Sequence, residues 1–226
     1  MTQPEIIAHR GATYLAPENT LTAFENAMDL GADGVEMDVQ QTKDKGLIIH
    51  HDYLIDIGME LSAKIYDLTV GELESISLTK WNGVDITTEK LATLDEALSF
   101  CKGLENCTIQ LELKAPILND PDFIPNVVEH IRAADIADRL ILVSFRHDLL
   151  RQAKALMPEL RIGILTLGDL LSMMSGLDQD KYDAVFFTGS NDNTFPLVNV
   201  RHILVKFEGG TTDSTTGTTT YSDEEK

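Results

Sequence analysis

Ionisable side chains stand at the ends of several predicted strands in the first fifty residues. His9 ends a short apolar run, and Arg10 follows it directly. Glu36 and Asp38 are two residues apart in another predicted strand, so their side chains share a face, because strand side chains alternate with a period of two. His51 ends a third predicted strand. This grouping of acids, bases and histidines is typical of a catalytic site.

A later predicted strand adds Glu112 and Lys114, which also share a face. Three carboxylates that converge on one point repel each other, and a hard divalent cation relieves that repulsion. Ligands that are all oxygen favour Mg²⁺ or Ca²⁺ over zinc. We therefore predict that Glu36, Asp38 and Glu112 bind one of these cations.

The basic residues fit an anionic substrate. Arg10 and Lys114 can bind an anionic oxygen, most simply that of a phosphate. His9 and His51 suit proton transfer, one activating a nucleophile and the other protonating a leaving alcohol. Taken singly, each residue has an ordinary structural alternative, such as a helix cap, a solvated loop residue or a same-face ion pair. Their joint placement favours a metal-dependent enzyme that cleaves a phosphodiester.

Neighbouring polar residues have simpler interpretations. His50 points to the opposite side from His51 in the predicted strand, and we expect a core or outer-face residue there. Asp52 is expected to be a turn residue or a partner of the site. Asn19 and Thr20 can cap a helix that begins at about Leu21.

Strand-like and helix-like segments alternate along most of the chain, which implies parallel βα units. This pattern suits an open doubly wound sheet or a (β/α)₈ barrel. Because a barrel builds its active site at the C-terminal ends of its strands, the ionisable residues favour the barrel. The predicted strands are 5–9, 34–39, 46–51, 108–114, 140–145, 161–166 and 184–188, and the main predicted helices begin at Leu21 and Thr93 or cover 123–134, 148–157 and 169–174.

Two regions depart from the alternation. Residues 52–90 form a predicted insertion over one face, with a capping box at Thr69 and Glu72, and such an insertion can be a substrate wall or a loop cluster without function. Residues 203–207 can form an eighth strand. Residues 208–226 are rich in threonine and poor in apolar residues, so we expect a disordered acidic tail after a barrel domain at 1–207.

Composition restricts the classes of partner. The chain has 226 residues and a net charge of -19, which disfavours nucleic acids and anionic membranes as partners. The partner expected from the ionisable residues is a small phosphodiester. Cys101 and Cys107 are too few for a disulfide framework, and we expect reduced, buried thiols. No secretory signal or apolar run of roughly 18 residues is visible, which predicts a cytoplasmic protein without a membrane span. The sequence leaves the oligomeric state open.

Several short motifs occur in a consistent order, and together they resemble the glycerophosphodiester phosphodiesterase family. The similarity covers about residues 5–190, and its first fifty residues are the most specific part. The motifs are His9-Arg10-Gly11, Pro17-Glu18-Asn19-Thr20, the segment from Gly31 to Val39, Thr42-Lys43-Asp44, His51-Asp52, Glu112-Leu113-Lys114 and Ser144-Phe145.

The resemblance implies a (β/α)₈ TIM barrel with an inserted subdomain after the third strand. It implies hydrolysis of glycerophosphodiesters to sn-glycerol 3-phosphate and an alcohol, in which a glycerol hydroxyl of the substrate attacks phosphorus and water opens the cyclic phosphate. The implied roles are general acid and base for His9 and His51, metal ligands for Glu36, Asp38 and Glu112, and phosphate binding for Arg10 and Lys114.

The C-terminal part departs from the family pattern. The family closes its barrel with a strand that carries a Trp-Thr-Val-Asn-like motif, and none follows Phe187. Residues 189–226 resemble a replaced terminus, so the expected closure is atypical or incomplete. This leaves two alternative functions: a degenerate family member that binds phosphodiesters without turnover, and a lysophospholipase D-like lipid phosphodiesterase.

Overall fold

The computed structural model describes residues 5–58, 61–81, 84–115 and 120–165, with the pairs 203–204, 211–212 and 219–220. The strands are β1 Glu5–His9, β2 Gly34–Gln41, β3 Leu47–Ile49, β4 Leu54–Gly58, β5 Leu61–Lys64, β6 Ser77–Trp81, β7 Val84–Lys90, β8 Ala92–Thr93, β9 Thr108–Leu113, β10 Leu140–Ser144, β11 Arg161–Ile164, β12 Ile203–Leu204, β13 Thr211–Thr212 and β14 Thr219–Thr220. The helices are α1 Leu21–Asp29, α2 Val70–Glu74, α3 Leu94–Gly103, α4 Phe123–Ala134 and α5 His147–Leu156.

A parallel sheet positions the site. β1, β2, β9, β10 and β11 pair in parallel, in the spatial order β11-β10-β9-β2-β1. The register sets His9 beside Glu36 and Asp38 beside Glu112. The predicted α/β class with a parallel sheet is therefore confirmed.

The two faces of this sheet are chemically different. Val35, Met37 and Val39 of β2 join the main apolar core, to which α1, α3, α4 and α5 all contribute buried side chains. The alternate residues Glu36, Asp38 and Gln40 face the other way and are polar. Beside them lies a small apolar cluster of Ile7, Ile141, Val143 and Leu165. In the described part of the chain, these four helices therefore share one face of the sheet.

The main helices begin where their sequences indicate. The Thr20 hydroxyl accepts a hydrogen bond from the Ala23 N–H at the start of α1. Thr93 and Glu96 form a capping box at α3, and Thr69 and Glu72 form one at α2. The boundaries of α4 agree with the predicted range, and the chain leaves that helix through Asp135 in the left-handed conformation.

The strand predicted at 46–51 is wrong in direction and length. β3 covers only Leu47–Ile49 and pairs antiparallel with β2. The connection between the two strands, residues 42–46, is too short for a parallel crossover, which needs a dozen or more residues. His51 consequently lies in a bend beyond the strand instead of at its end.

The insertion contains more structure than the helix start that its capping box at Thr69 and Glu72 indicates. It consists of the hairpins β4–β5 and β6–β7 with α2 between them. It has its own apolar cluster, and the chain then returns to the sheet at β8, which pairs antiparallel with β3. The cluster consists of Ile48, Ile55, Ile65, Leu73 and Leu91.

The C-terminal strand also differs from the expectation. β12 pairs antiparallel with β1, so residues 203–204 are not a parallel eighth strand. In the predicted tail, β13 and β14 form a two-residue antiparallel ladder. The helix predicted at 169–174 and the strand predicted at 184–188 lie outside the described residues. The domain limits at 207 and 208 stay predictions.

Two expectations about the whole chain can be compared with the structure. Cys101 and Cys107 are free and buried, as predicted. Among the described helices, none is both long enough and apolar enough to cross a lipid bilayer.

Candidate functional site

Three carboxylates meet on the polar face of the sheet. Glu36 and Asp38 come from β2 and Glu112 comes from β9, and all three are almost completely buried. One oxygen from each carboxylate lies within 4.8 Å of the others. The sheet register explains this convergence, because Asp38 is the parallel neighbour of Glu112 and Glu36 precedes Asp38 on the same face.

The environment of these groups disfavours three free negative charges. Burial raises the pKa of Glu36 well above its usual value, and the charges of Asp38 and Glu112 raise it further. Burial and Asp38 likewise raise the pKa of Glu112, although Lys114 and His51 oppose the shift. Asp38 Oδ1 is buried and has no hydrogen-bond partner. A divalent cation fits this donor set, since it neutralises the repulsion and coordinates the oxygen that lacks a donor.

Two cationic side chains lie against the carboxylates. Lys114 Nζ is 2.9 Å from Glu112 Oε1 and 3.5 Å from Asp38 Oδ1. Burial lowers the pKa of Lys114, but Asp38 and Glu112 outweigh it and the net pKa is raised. Arg10 Nε lies 3.3 Å from Asp38 Oδ2. Both predicted phosphate-binding residues are therefore beside the predicted metal ligands.

Arg10 is held in place by Glu18, a residue without a predicted role. Its Nη1 donates to both carboxylate oxygens of Glu18, at 3.0 and 3.1 Å. Its backbone has a φ of 58° and its N–H donates to Glu36 Oε2 at 3.1 Å. The position of Glu18 in the Pro17–Thr20 motif was the available signal.

Asn19 was expected only as a possible helix cap, whereas Thr20 makes the capping bond. The Asn19 side chain instead binds Asp38: Nδ2 donates to Asp38 Oδ2 at 2.9 Å, and Oδ1 accepts from the Asp38 N–H at 3.2 Å. The chain is directed there by a φ of 60° at Asn19, which is unusual for a residue other than glycine. Asn19 therefore orients one of the three carboxylates.

The two predicted catalytic histidines have different surroundings. His9 is buried, and its Nε2 lies 3.8 Å from Glu36 Oε2. His51 is more exposed, and its Nδ1 lies 2.8 Å from Asp52 Oδ1. The pKa of Glu112, which burial raises, is lowered slightly by the charge of His51, so His51 is within electrostatic range of the carboxylates. Asp52 is thus a hydrogen-bonding partner of His51, a predicted site residue.

His50 also makes a backbone contact with the strand that carries Asp38. The residue is half-buried, and its backbone N–H donates to the Asp38 carbonyl oxygen at 2.9 Å. Burial lowers the pKa of its imidazole, so the neutral form is favoured. The backbone of His50 therefore attaches the bend that carries His51 to the strand that carries Asp38.

Known proteins are similar to this chain over the region that contains these residues. Residues 9–205 match the glycerophosphoryl diester phosphodiesterase family. A glycerophosphodiester phosphodiesterase of Caldanaerobacter subterraneus subsp. tengcongensis is 35% identical over 160 residues, and one of Bacillus altitudinis is 34% identical over 163 residues. These alignments cover 71% and 72% of this chain but only 65% and 66% of the relatives, which is just under two thirds of their length.

Among solved structures, one similar protein is a phosphodiesterase of Oleispira antarctica in complex with the product sn-glycerol-3-phosphate. It is 27% identical, with a TM-score of 0.71 over 83% of this chain and 85% of that one. The family match begins at His9 and includes all three carboxylates, both cationic residues and both histidines. The chain belongs to the glycerophosphoryl diester phosphodiesterase family.

Proposed function

We propose that this chain hydrolyses glycerophosphodiesters to sn-glycerol 3-phosphate and an alcohol. The observation that carries the proposal is the cluster of three buried carboxylates with Arg10 and Lys114 directly against it. Family membership supports the reaction class, and the product bound in the Oleispira antarctica phosphodiesterase supports the chemical nature of the product.

The charges of the cluster fit a phosphodiester. With all groups ionised, and with the partly exposed Glu18 left out, the three buried carboxylates exceed the two cationic side chains by one negative charge. A divalent cation changes this to one excess positive charge, and a phosphodiester anion carries one negative charge. Because so little water reaches the buried carboxylates, such matching is worth more than it would be at the surface.

In the proposed site, Glu36, Asp38 and Glu112 hold the divalent cation, either Mg²⁺ or Ca²⁺. The bound cation would supply Lewis-acid stabilisation of the charge that develops on the phosphoryl oxygens. Arg10 and Lys114 bind the anionic phosphate oxygens. Glu18 and Asn19 orient Arg10 and Asp38 through the hydrogen bonds described above.

Proton transfer is assigned to His9 and His51. The Asp52 carboxylate accepts a hydrogen bond from Nδ1 of His51, which leaves Nε2 as the nitrogen that exchanges a proton. His9 ends β1, which lies on the opposite side of β2 from β9, and it is paired with Glu36 in the sheet register. Two imidazoles at different positions around one cluster suit a base that activates the nucleophile and an acid that protonates the leaving alcohol.

We also propose that the parallel sheet belongs to a (β/α)₈ barrel. The described helices that border the sheet share one face, whereas the open doubly wound alternative has helices on both faces. The polar residues face the side without these helices, which would be the inside of the barrel. The predicted cytoplasmic location likewise stays a proposal, and the two free thiols agree with it.

The direct test measures the release of sn-glycerol 3-phosphate from glycerophosphocholine with Mg²⁺ or Ca²⁺. We expect turnover that a chelator abolishes and that His9→Ala reduces strongly. Activity that survives either treatment contradicts the mechanism. A folded chain that binds the substrate without turnover supports the degenerate family member, and a preference for lysophospholipids supports the lipid phosphodiesterase.

A further inference from the structure

Gln40 is completely buried on the polar face of β2, two residues after Asp38. Its side-chain nitrogen, Nε2, contacts three consecutive backbone carbonyl oxygens, those of His50 at 2.8 Å, His51 at 3.2 Å and Asp52 at 2.8 Å. These residues form the bend that carries His51 beyond β3. One amide group therefore holds the whole bend.

Only a hydrogen-bond donor can occupy this position. Three carbonyl oxygens that converge on one point repel any other oxygen, so the amide nitrogen must face them. The other end of the amide, Oε1, is buried without a hydrogen-bond partner. A buried polar atom without a partner lowers stability, so the oxygen of Gln40 does not stabilise the fold. The contribution of this amide is the hydrogen bonding of its nitrogen to the bend.

The bend is joined to β2 at two points. The His50 N–H donates to the Asp38 carbonyl oxygen at 2.9 Å, and the three carbonyl groups that follow are held by Gln40. Asp38 and Gln40 are on the same strand. Both attachments therefore fix the backbone of His51 relative to the strand that carries two of the three carboxylates. The side chain of His51 then departs from a backbone that has little freedom to shift.

We propose that Gln40 is a positioning residue that sets the location of His51 relative to the carboxylate cluster. This inference rests on the proposed function, in which His51 transfers a proton. Gln40 itself needs no contact with the substrate or the cation, because it acts through the backbone of residues 50–52. The side-chain amide thus holds a histidine of an irregular segment in a fixed position relative to β2.

The test replaces Gln40 with Met, which has a similar length and no donor. We expect kcat to fall about 10²-fold, the scale of a misplacement of about 1 Å in a catalytic group. We expect KM and the affinity for Mg²⁺ to stay within about threefold, since the ligands of the cation are unchanged. In a His51→Ala background, Gln40→Met should cause no further loss, because its effect passes through His51.

A matched control is Gln41→Met, which makes the same change on the other face of the same strand. Gln41 is also buried, and its amide donates to Asp120 Oδ2 at 2.8 Å, away from the bend. This variant should keep the wild-type kcat. If Gln40→Met does not fold, Gln40→Asn replaces it in the same measurements. Asparagine retains the donor but is shorter by one methylene.

Hydrogen exchange separates this inference from the reaction itself. Gln40→Met should increase the amide exchange of residues 50–54 and leave that of β9 and β10 unchanged, whether or not the wild type turns over the chosen substrate. Wild-type protein without turnover contradicts the proposed function. Unchanged exchange at 50–54, wild-type kcat in the Gln40 variant, or a further loss in the His51→Ala background contradicts the role of Gln40.

Discussion

Asn19 and Asp38 are joined by two reciprocal hydrogen bonds, one from the Asn19 amide to the Asp38 carboxylate and one from the Asp38 backbone to the Asn19 amide oxygen. The pair occupies Asp38 Oδ2, whereas Oδ1 has no hydrogen-bond partner and lies 3.5 Å from Lys114 Nζ. Groups that orient metal ligands in this way contribute to metal affinity although they do not contact the metal.

Replacement of Asn19 should therefore weaken cation binding. We expect Asn19→Gly to lower the affinity for Mg²⁺ or Ca²⁺ by roughly 10- to 100-fold, measured by isothermal titration calorimetry. Glycine is the informative substitution, because it adopts a φ of 60° without strain and removes only the side chain.

Asn19→Ala separates the side chain from the backbone. It should lose the same affinity as the glycine variant and unfold at a lower temperature, since a left-handed alanine costs about 1–2 kcal/mol. Wild-type affinity in the glycine variant would show that Asp38 keeps its orientation without Asn19.

The pairing of Asp52 with His51 should be important for turnover. We expect Asp52→Asn to lower kcat by roughly 10- to 100-fold, less than the ~10⁴-fold loss for a buried aspartate in a catalytic triad, because the Asp52 side chain is mostly exposed. Steady-state kinetics with glycerophosphocholine give the comparison.

Asp95→Asn is a matched control for that variant. Asp95 makes the same type of contact with His130, at 2.6 Å between α3 and α4, and it is similarly exposed. This variant should have wild-type kinetics. Equal losses in the two variants would mean that the Asp52 effect is not specific to the site.

Glu18 should affect substrate binding through Arg10. Glu18→Ala removes the carboxylate that accepts two hydrogen bonds from the Arg10 guanidinium, so the guanidinium gains freedom to leave the phosphate position. Because Glu18 is partly exposed, we expect KM to rise only about three- to tenfold, with a smaller change in kcat. Glu18→Gln retains an acceptor and should lie between wild type and alanine. A fall in kcat at constant KM would contradict this role.

The stability of the protein in chelator should decrease with rising pH because of Glu36. Burial raises the pKa of Glu36 above the value of 4.5 expected in an unfolded chain. Between those two pKa values the folded state binds more protons, so the free energy of unfolding falls as pH increases through this range. Glu36→Gln has no proton to lose there. Its stability relative to wild type should therefore increase as the pH rises above about 4.5.

Thermal unfolding in EDTA from pH 4.5 to pH 8 measures this difference. Addition of Mg²⁺ should stabilise the wild type and have a smaller effect on Glu36→Gln, since one ligand is missing. A difference that is independent of pH, or a variant that is less stable than wild type in EDTA at pH 7, would contradict the raised pKa.

The regular parts of this site were predictable from the sequence. The period of two placed Glu36 with Asp38 and Glu112 with Lys114 on common faces, and the register of β2 with β9 brings the pairs together. The caps of α1 and α3 followed from short polar motifs, whose hydrogen bonds are local.

The irregular parts were not predictable in the same way. The five-residue connection between β2 and β3 permits only an antiparallel pair, but the alternation of strands and helices predicts a parallel one, and the strand-like residues predict a strand that continues through His51. The contacts of Gln40 and Asn19 depend on where a bend and a left-handed residue bring distant backbone atoms. Propensity and periodicity describe a residue's own element, and they contain no information on such contacts.

The antiparallel arrangement of β2 and β3 has a consequence for folding. Asp38 and the bend at 50–52 meet through a five-residue turn, so their association closes a short loop at a small entropic cost. Glu112 is more than seventy residues further along the chain than Asp38, so its pairing with Asp38 closes a much longer loop. The β2–β3 hairpin can therefore form the bend that carries His51 early, and the carboxylate cluster is complete only when β9 docks.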